Sequence, residues 1–220
     1  MKYLAPFIII LLALCMGSSD DYYHVTGDLS SSHDCAHYTV DGTMDTDVSG
    51  HDVTEPDRRR SEIPWNAERP LRISDFQASN RNRSYQALTA SGIRYDAETV
   101  APNGRLQVRL ESFFTPEDSY FTPSDRDSLV LLHEQLHFDI TELHARKMRR
   151  AMQESIHSVR DFKRKHQKIF RQIQSEMDEM QQHYDRQVYA DESLQAGWVK
   201  YVSQEVEELD AFARQSFYLE

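Results

Sequence analysis

Two cysteines, Cys15 and Cys35, are all that the 220 residues contain. Loss of an N-terminal leader would leave Cys35 alone, so no disulfide framework can form in the mature chain. The same count excludes a zinc site of four cysteines, or of two cysteines and two histidines, and any metal must be held by histidine and carboxylate. Basic charge is scarce: 25 Lys and Arg face 36 Asp and Glu, a formal net charge of −11. That balance argues against nucleic acid or an anionic membrane as partner. Proline is absent after Pro123, and glycine is absent from there to Gly197. The helix breakers are gone, and the last hundred residues are expected to be essentially helical. Large apolar side chains are sparse between residues 18 and 62, where Ser, Asp, Thr, Gly and His dominate. Such a segment cannot bury enough to order itself.

What is present begins with a leader. Residues 1–17 join one early positive charge, Lys2, to an apolar core from Phe7 to Leu14, as in a secretory signal peptide. The run is too short for an ordinary membrane span, so no span is expected in the mature chain. The location implied is secreted or periplasmic. Leu12-Ala13-Leu14-Cys15 also resembles a bacterial lipobox, which makes a lipid anchor at Cys15 the minor alternative. The organisation expected is thus a signal peptide at 1–17, a disordered polar linker at 18–62, and one domain at 63–220.

The chemistry sits in His133-Glu134-Gln135-Leu136-His137, the short motif of zinc peptidases. On a helix His133 and His137 lie about 40° apart and one turn displaced, so both imidazoles can reach one ion. Glu134 falls beside them, placed to take a proton from water as general base. Leu129, Leu136, Ile140 and Leu143 form one apolar stripe with the histidines on or next to it, so the motif faces inward. Thr122 as N-cap, Pro123 at the first helical position and Asp125 reaching back predict the helix start. Two histidines alone on an apolar face would more often be satisfied core residues; the added carboxylate favours a metal.

Around the motif helix, Trp65, Leu71, Ile73 and Phe76 are the first bulky anchors of a core. Strands are expected at 89–95 and 106–114, the second with Leu106, Val108 and Leu110 buried and Gln107, Arg109 and Glu111 wet. Asn103-Gly104 marks the turn between them. The helical region divides into the motif helix from about Pro123 to Met152, a second from about Ser158 to Gln187, and a third from about Ser193 to Ala213. Phe162, Ile169, Ile173, Met177 and Met180 on the second helix read as core packing with no chemistry. Glu142 and the basic residues at 146–150 are expected on solvated faces.

The run from His133 to Arg149, with Trp65-x-x-x-Arg69-Pro70-Leu71-x-x-x-Asp75-Phe76 and Thr89-Ala-Ser-Gly92-Ile93-x-Tyr95, resembles a bacterial family of otherwise unknown function described as secreted zinc-dependent proteases. The resemblance implies zinc held by His133 and His137 with Glu134 catalytic. The family commonly carries Tyr-Asp-x-x-Thr-x-His-Gly downstream, whose histidine would be a third ligand. Here the stretch is Tyr184-Asp185-Arg186-Gln187-Val188-Tyr189-Ala190-Asp191, so that histidine is Ala190. Asp185 is the first substitute, with His183, Asp191 and Glu192 behind it.

The expectation is therefore an α+β, zincin-like domain in which a small antiparallel sheet packs on the motif helix, followed by two further helices. Its function would be that of an exported zinc-dependent metallohydrolase acting on peptide or protein. The alternative is an inactive envelope or interaction domain that keeps the helix for structure or metal binding.

Overall fold

A computed structural model describes residues 62–79, 85–100 and 105–219, and the backbone alone of 25–31. The leader, both cysteines and the Asn103-Gly104 turn lie outside these residues. The architecture is α+β, a small antiparallel sheet with three helices. Among the described residues no helix is long and apolar enough to cross a membrane.

The strands are β1 (Val25–Ser31), β2 (Ile63–Pro64), β3 (Ala87–Leu88), β4 (Ser91–Val100), β5 (Arg105–Phe114), β6 (Tyr120–Phe121) and β7 (Ser216–Leu219); the helices are α1 (Asp127–Ser155), α2 (Val159–Ala190) and α3 (Gln195–Glu208). The sheet is built on the β4–β5 hairpin, in register from Ser91↔Phe114 to Val100↔Arg105. β1 lies along β4, while β2 and β7 share the far edge of β5, one at each end. β3 and β6 form a separate two-stranded ladder. β1 falls within the stretch expected to be a disordered linker. The expectation weighed side-chain burial alone, whereas strand addition uses main-chain groups that every residue but proline can offer in full. β7 was missed for a related reason, because four residues carry little periodicity.

Ile93, Tyr95 and Ala97 of β4 and Leu106, Val108 and Leu110 of β5 turn one face to the helices. There they meet Leu136, Ile140, Met148 and Met152 of α1 and Phe162, Ile173 and Met177 of α2. α2 carries its inward residues every three or four positions, from Phe162 through Ile173 and Met177 to Tyr184 and Val188, which is the stripe expected of a helix packed on one side. Ser158 caps it, accepting from Asp161 N at 3.1 Å. α1 and α2 run antiparallel, joined only by residues 156–158.

Three expectations need correction. α1 starts at Asp127, later than Thr122, because Thr122 N donates to Gln86 O at 2.8 Å and so continues the β3–β6 ladder. The Asp127 carboxylate instead accepts from Ser124 N at 2.6 Å. Glu111 is buried, not wet: Arg94 Nε reaches its carboxylate at 2.7 Å and Arg109 Nη2 at 2.9 Å. Glu142, Arg146 and Arg149 are buried as well. Glu142 accepts from Ser112 Oγ at 2.6 Å, Arg146 Nε at 2.9 Å and Arg149 Nη1 at 3.1 Å, while Arg149 Nε donates to Leu110 O at 3.0 Å and its Nη1 to Phe212 O at 2.9 Å. The sheet and the C-terminal segment cover the side of α1 that was expected to face water.

The 65–76 segment straps the outside of the motif helix. Trp65 Nε1 donates to Asp139 at 2.8 Å, Leu71 N donates to Gln135 Oε1 at 2.6 Å, and Arg69 pairs with Asp75 at 2.9 Å. Leu71 packs there with Phe114 and Phe138.

Candidate metal centre

His133, Glu134 and His137 lie in the second and third turns of α1, held from both sides. Thr89 Oγ1, from the segment between β3 and β4, donates to Glu134 O at 3.1 Å. Opposite, the inward stripe of α2 steps from Met177 by fours to Gln181 and Asp185, which brings Asp185 onto the two imidazoles. His133 Nε2 lies 3.2 Å and His137 Nε2 3.0 Å from Asp185 Oδ1, and the two Nε2 atoms are 3.1 Å apart. These three are the one group of metal-ligating type found among the described residues.

Three donors on one face of a tetrahedral zinc at roughly 2.0–2.1 Å would lie about 3.3 Å from each other. The observed separations are close to that, and the set of two imidazoles and one carboxylate is chemically suited to zinc. Glu134 is 5 % exposed, and its Oε2 is buried with no hydrogen-bond partner. A buried carboxylate oxygen without a donor is costly, so the enclosure is shaped for something further. The protein residues present thus fit a divalent ion.

The electrostatics describe the same enclosure without metal. Burial alone would lower the His137 pKa, but the Asp185 carboxylate, with Glu134 and Gln181, lifts it to about 9. His133 is sandwiched, with Tyr184 stacked at 4.6 Å between ring centroids on one contact and Tyr189 at 5.6 Å on another. Burial first, then Asp185 and Glu134, push the Tyr184 phenol well up from its ordinary value. Tyr189 is largely exposed and stacks on Tyr85 at 6.4 Å.

The other candidates are engaged elsewhere. His183 is exposed against the Trp198 ring. Asp191 accepts from Ser193 N and Oγ at 3.0 and 2.7 Å, and Glu192 pairs with Arg126. Ala190 is the exposed last residue of α2. Two residues at the centre carried no signal in the motif itself, Gln181 and Tyr189. Gln181 could have been found as a polar residue one turn before Asp185 on an otherwise apolar stripe.

Two surface cavities of about 360 and 450 Å³ lie away from this centre, one at Ser124–Leu129 and one between α1, α2 and α3 beside His144 and Trp198. No curated protein and no solved structure matches the chain. A family model described as a bacterial protein of unknown function, DUF922, matches residues 126–192, a span that holds His133, Glu134, His137 and Asp185 and leaves out the upstream strap and sheet.

Proposed function

We propose that the chain is a zinc-dependent hydrolase of zincin-like design, acting on peptide or protein, with His133, His137 and Asp185 holding the ion and Glu134 as general base. The observation that carries this reading is the convergence of three donor atoms from two helices within 3.2 Å of each other, next to a buried Glu134 oxygen without a partner. Zinc bound there would supply Lewis acidity toward a carbonyl and make a neighbouring water more acidic. Glu134, one residue from His133 and outside the donor triangle, is left free to take a proton. Tyr184 and Tyr189 hold the His133 ring, and the apolar packing beneath the helix keeps bulk water from the donors. Export rests on residues 1–17, and the peptide substrate on the His-Glu-x-x-His pattern.

The second reading is a domain in which the ion has a purely structural role. His133, Glu134 and Asp185 are each less than a tenth exposed, which leaves a substrate little of the donor set to reach. Metal content of the purified mature chain, followed by a peptide-library assay, tests the two together. About one zinc per chain with hydrolysis supports the enzyme; zinc without hydrolysis leaves the structural reading. No bound metal, and no thermal stabilisation when zinc is added, would overturn both.

A further inference from the structure

We infer that Gln181 is a positioning residue of the centre, fixing His137 as the tautomer that carries its proton on Nδ1 and presents the Nε2 lone pair to the ion. This rests on the metal reading above and adds to it a residue from outside the motif.

The inference follows from what each atom can do. Gln181 is 3 % exposed and touches His137 twice. One end of its amide lies 2.9 Å from the main-chain oxygen of His137. A main-chain carbonyl only accepts, so that end must be the NH2 group; reversing the amide would set two oxygens against each other. The other end is therefore Oε1, and it faces His137 Nδ1 at hydrogen-bond distance. An amide oxygen only accepts, so Nδ1 must donate. Asp185 Oδ1 likewise only accepts, so in the metal-free chain Nε2 carries a proton toward it; an ion would take the place of that proton, because the one on Nδ1 is held by Gln181. Nε2 is the atom 3.0 Å from Asp185 and 3.1 Å from His133 Nε2.

The frame behind this contact is rigid. Thr141 Oγ1 donates to the same His137 oxygen at 3.0 Å and meets Ser91 Oγ of β4 at 2.8 Å. Gln181 sits one helical turn before Asp185, so α2 delivers a ligand and the group that orients another ligand from adjacent turns of one stripe. Partners that fix a metal-bound histidine in this way typically change metal affinity about 10–100-fold when removed.

Two measurements on the full mature chain test this. In the 113Cd-loaded protein with 15N-labelled histidine, cadmium should couple to His137 Nε2, with a slowly exchanging proton on Nδ1; coupling to Nδ1 would overturn the inference. Zinc affinity by chelator competition should fall about 10–100-fold in Gln181→Leu. Equal zinc affinity in Gln181→Leu and wild type would overturn it. Should Gln181→Leu fail to fold, the coupling pattern of the wild-type protein still decides. If wild type binds no metal, the metal reading falls separately. The tautomer of the metal-free chain at about pH 10, where the ring is neutral, then decides the Gln181 assignment: Nδ1–H upholds it and Nε2–H overturns it.

Discussion

Arg149 and Glu142 are paired inside the protein, two turns apart on one helix, with Arg149 Nη1 and Nη2 at 3.1 and 3.3 Å from the two carboxylate oxygens. Arg149 is fully buried and Glu142 is 3 % exposed. Both hold β5, Glu142 by accepting from Ser112 and Arg149 by donating to the Leu110 carbonyl, and Arg149 also donates to Phe212 O of the C-terminal segment. The pair therefore fastens the sheet and the C-terminal segment to the motif helix.

Removing one charge leaves the others buried and uncompensated, which costs about 3–5 kcal/mol. Glu142→Gln, nearly isosteric, should accordingly lower the melting temperature by about 10 °C in a chain of this size. Calorimetry checks this, and a shift of only a degree or two would show that water reaches the cluster.

Glu134→Gln should keep both fold and zinc, since Glu134 stands outside the donor triangle. Loss of a general base lowers rate by about 10²–10⁴, so peptide hydrolysis should fall at least 100-fold while zinc stoichiometry is unchanged. Equal turnover in wild type and variant would remove Glu134 from the chemistry.

His137→Ala should lose the ion altogether. Asp185→Asn keeps an oxygen donor without its charge and should weaken zinc; in the metal-free chain it also removes the partner of the His137 ring, so the affinity is compared at a temperature where both chains are folded. Affinity unchanged in Asp185→Asn would exclude it as a ligand.

His144 gives the acid limb of stability. Burial pushes its pKa down to about 4, partly offset by its Nδ1 donating to Ile140 O at 2.8 Å, with Lys147 lowering and Glu176 raising it further. In the unfolded chain the ring takes a proton near pH 6.5. The unfolded state thus binds more protons between the two values, and stability present above about pH 6.5 is lost as pH falls toward 4, on the order of 3 kcal/mol in all. Denaturant midpoints of wild type and His144→Gln from pH 7 to 4 should diverge, the variant losing less. Parallel curves would assign the acid limb to other groups.

The helices and the inward placement of His133 and His137 were legible because their signals are local: apolar spacing of 3.6 residues and the absence of Pro and Gly. Asp185 came from a different signal, the family resemblance, as the carboxylate kept after Tyr184 in the stretch where the family's histidine is replaced by Ala190. Glu142, Arg146 and Arg149 were not legible, since a charged residue reads as solvated unless something distant covers it, and here the cover is Ser112, Leu110 and Phe212, between 30 and 63 residues away. β1 was hidden for the complementary reason, because it joins the sheet by main-chain pairing to β4 and its side-chain pattern carries no such instruction.

Joining α1 to α2 through residues 156–158 alone puts the candidate donors toward the open end of a helical hairpin, far from its bend. An ion held by His133, His137 and Asp185 would act there as a clasp, closing a long loop and restricting the unfolded chain as a crosslink does. The hairpin tips, tied in the metal-free chain only by contacts such as Arg126 with Glu192, would be held more firmly when loaded, so that limited proteolysis around residues 186–194 should slow with occupancy, a readout independent of any catalytic assay.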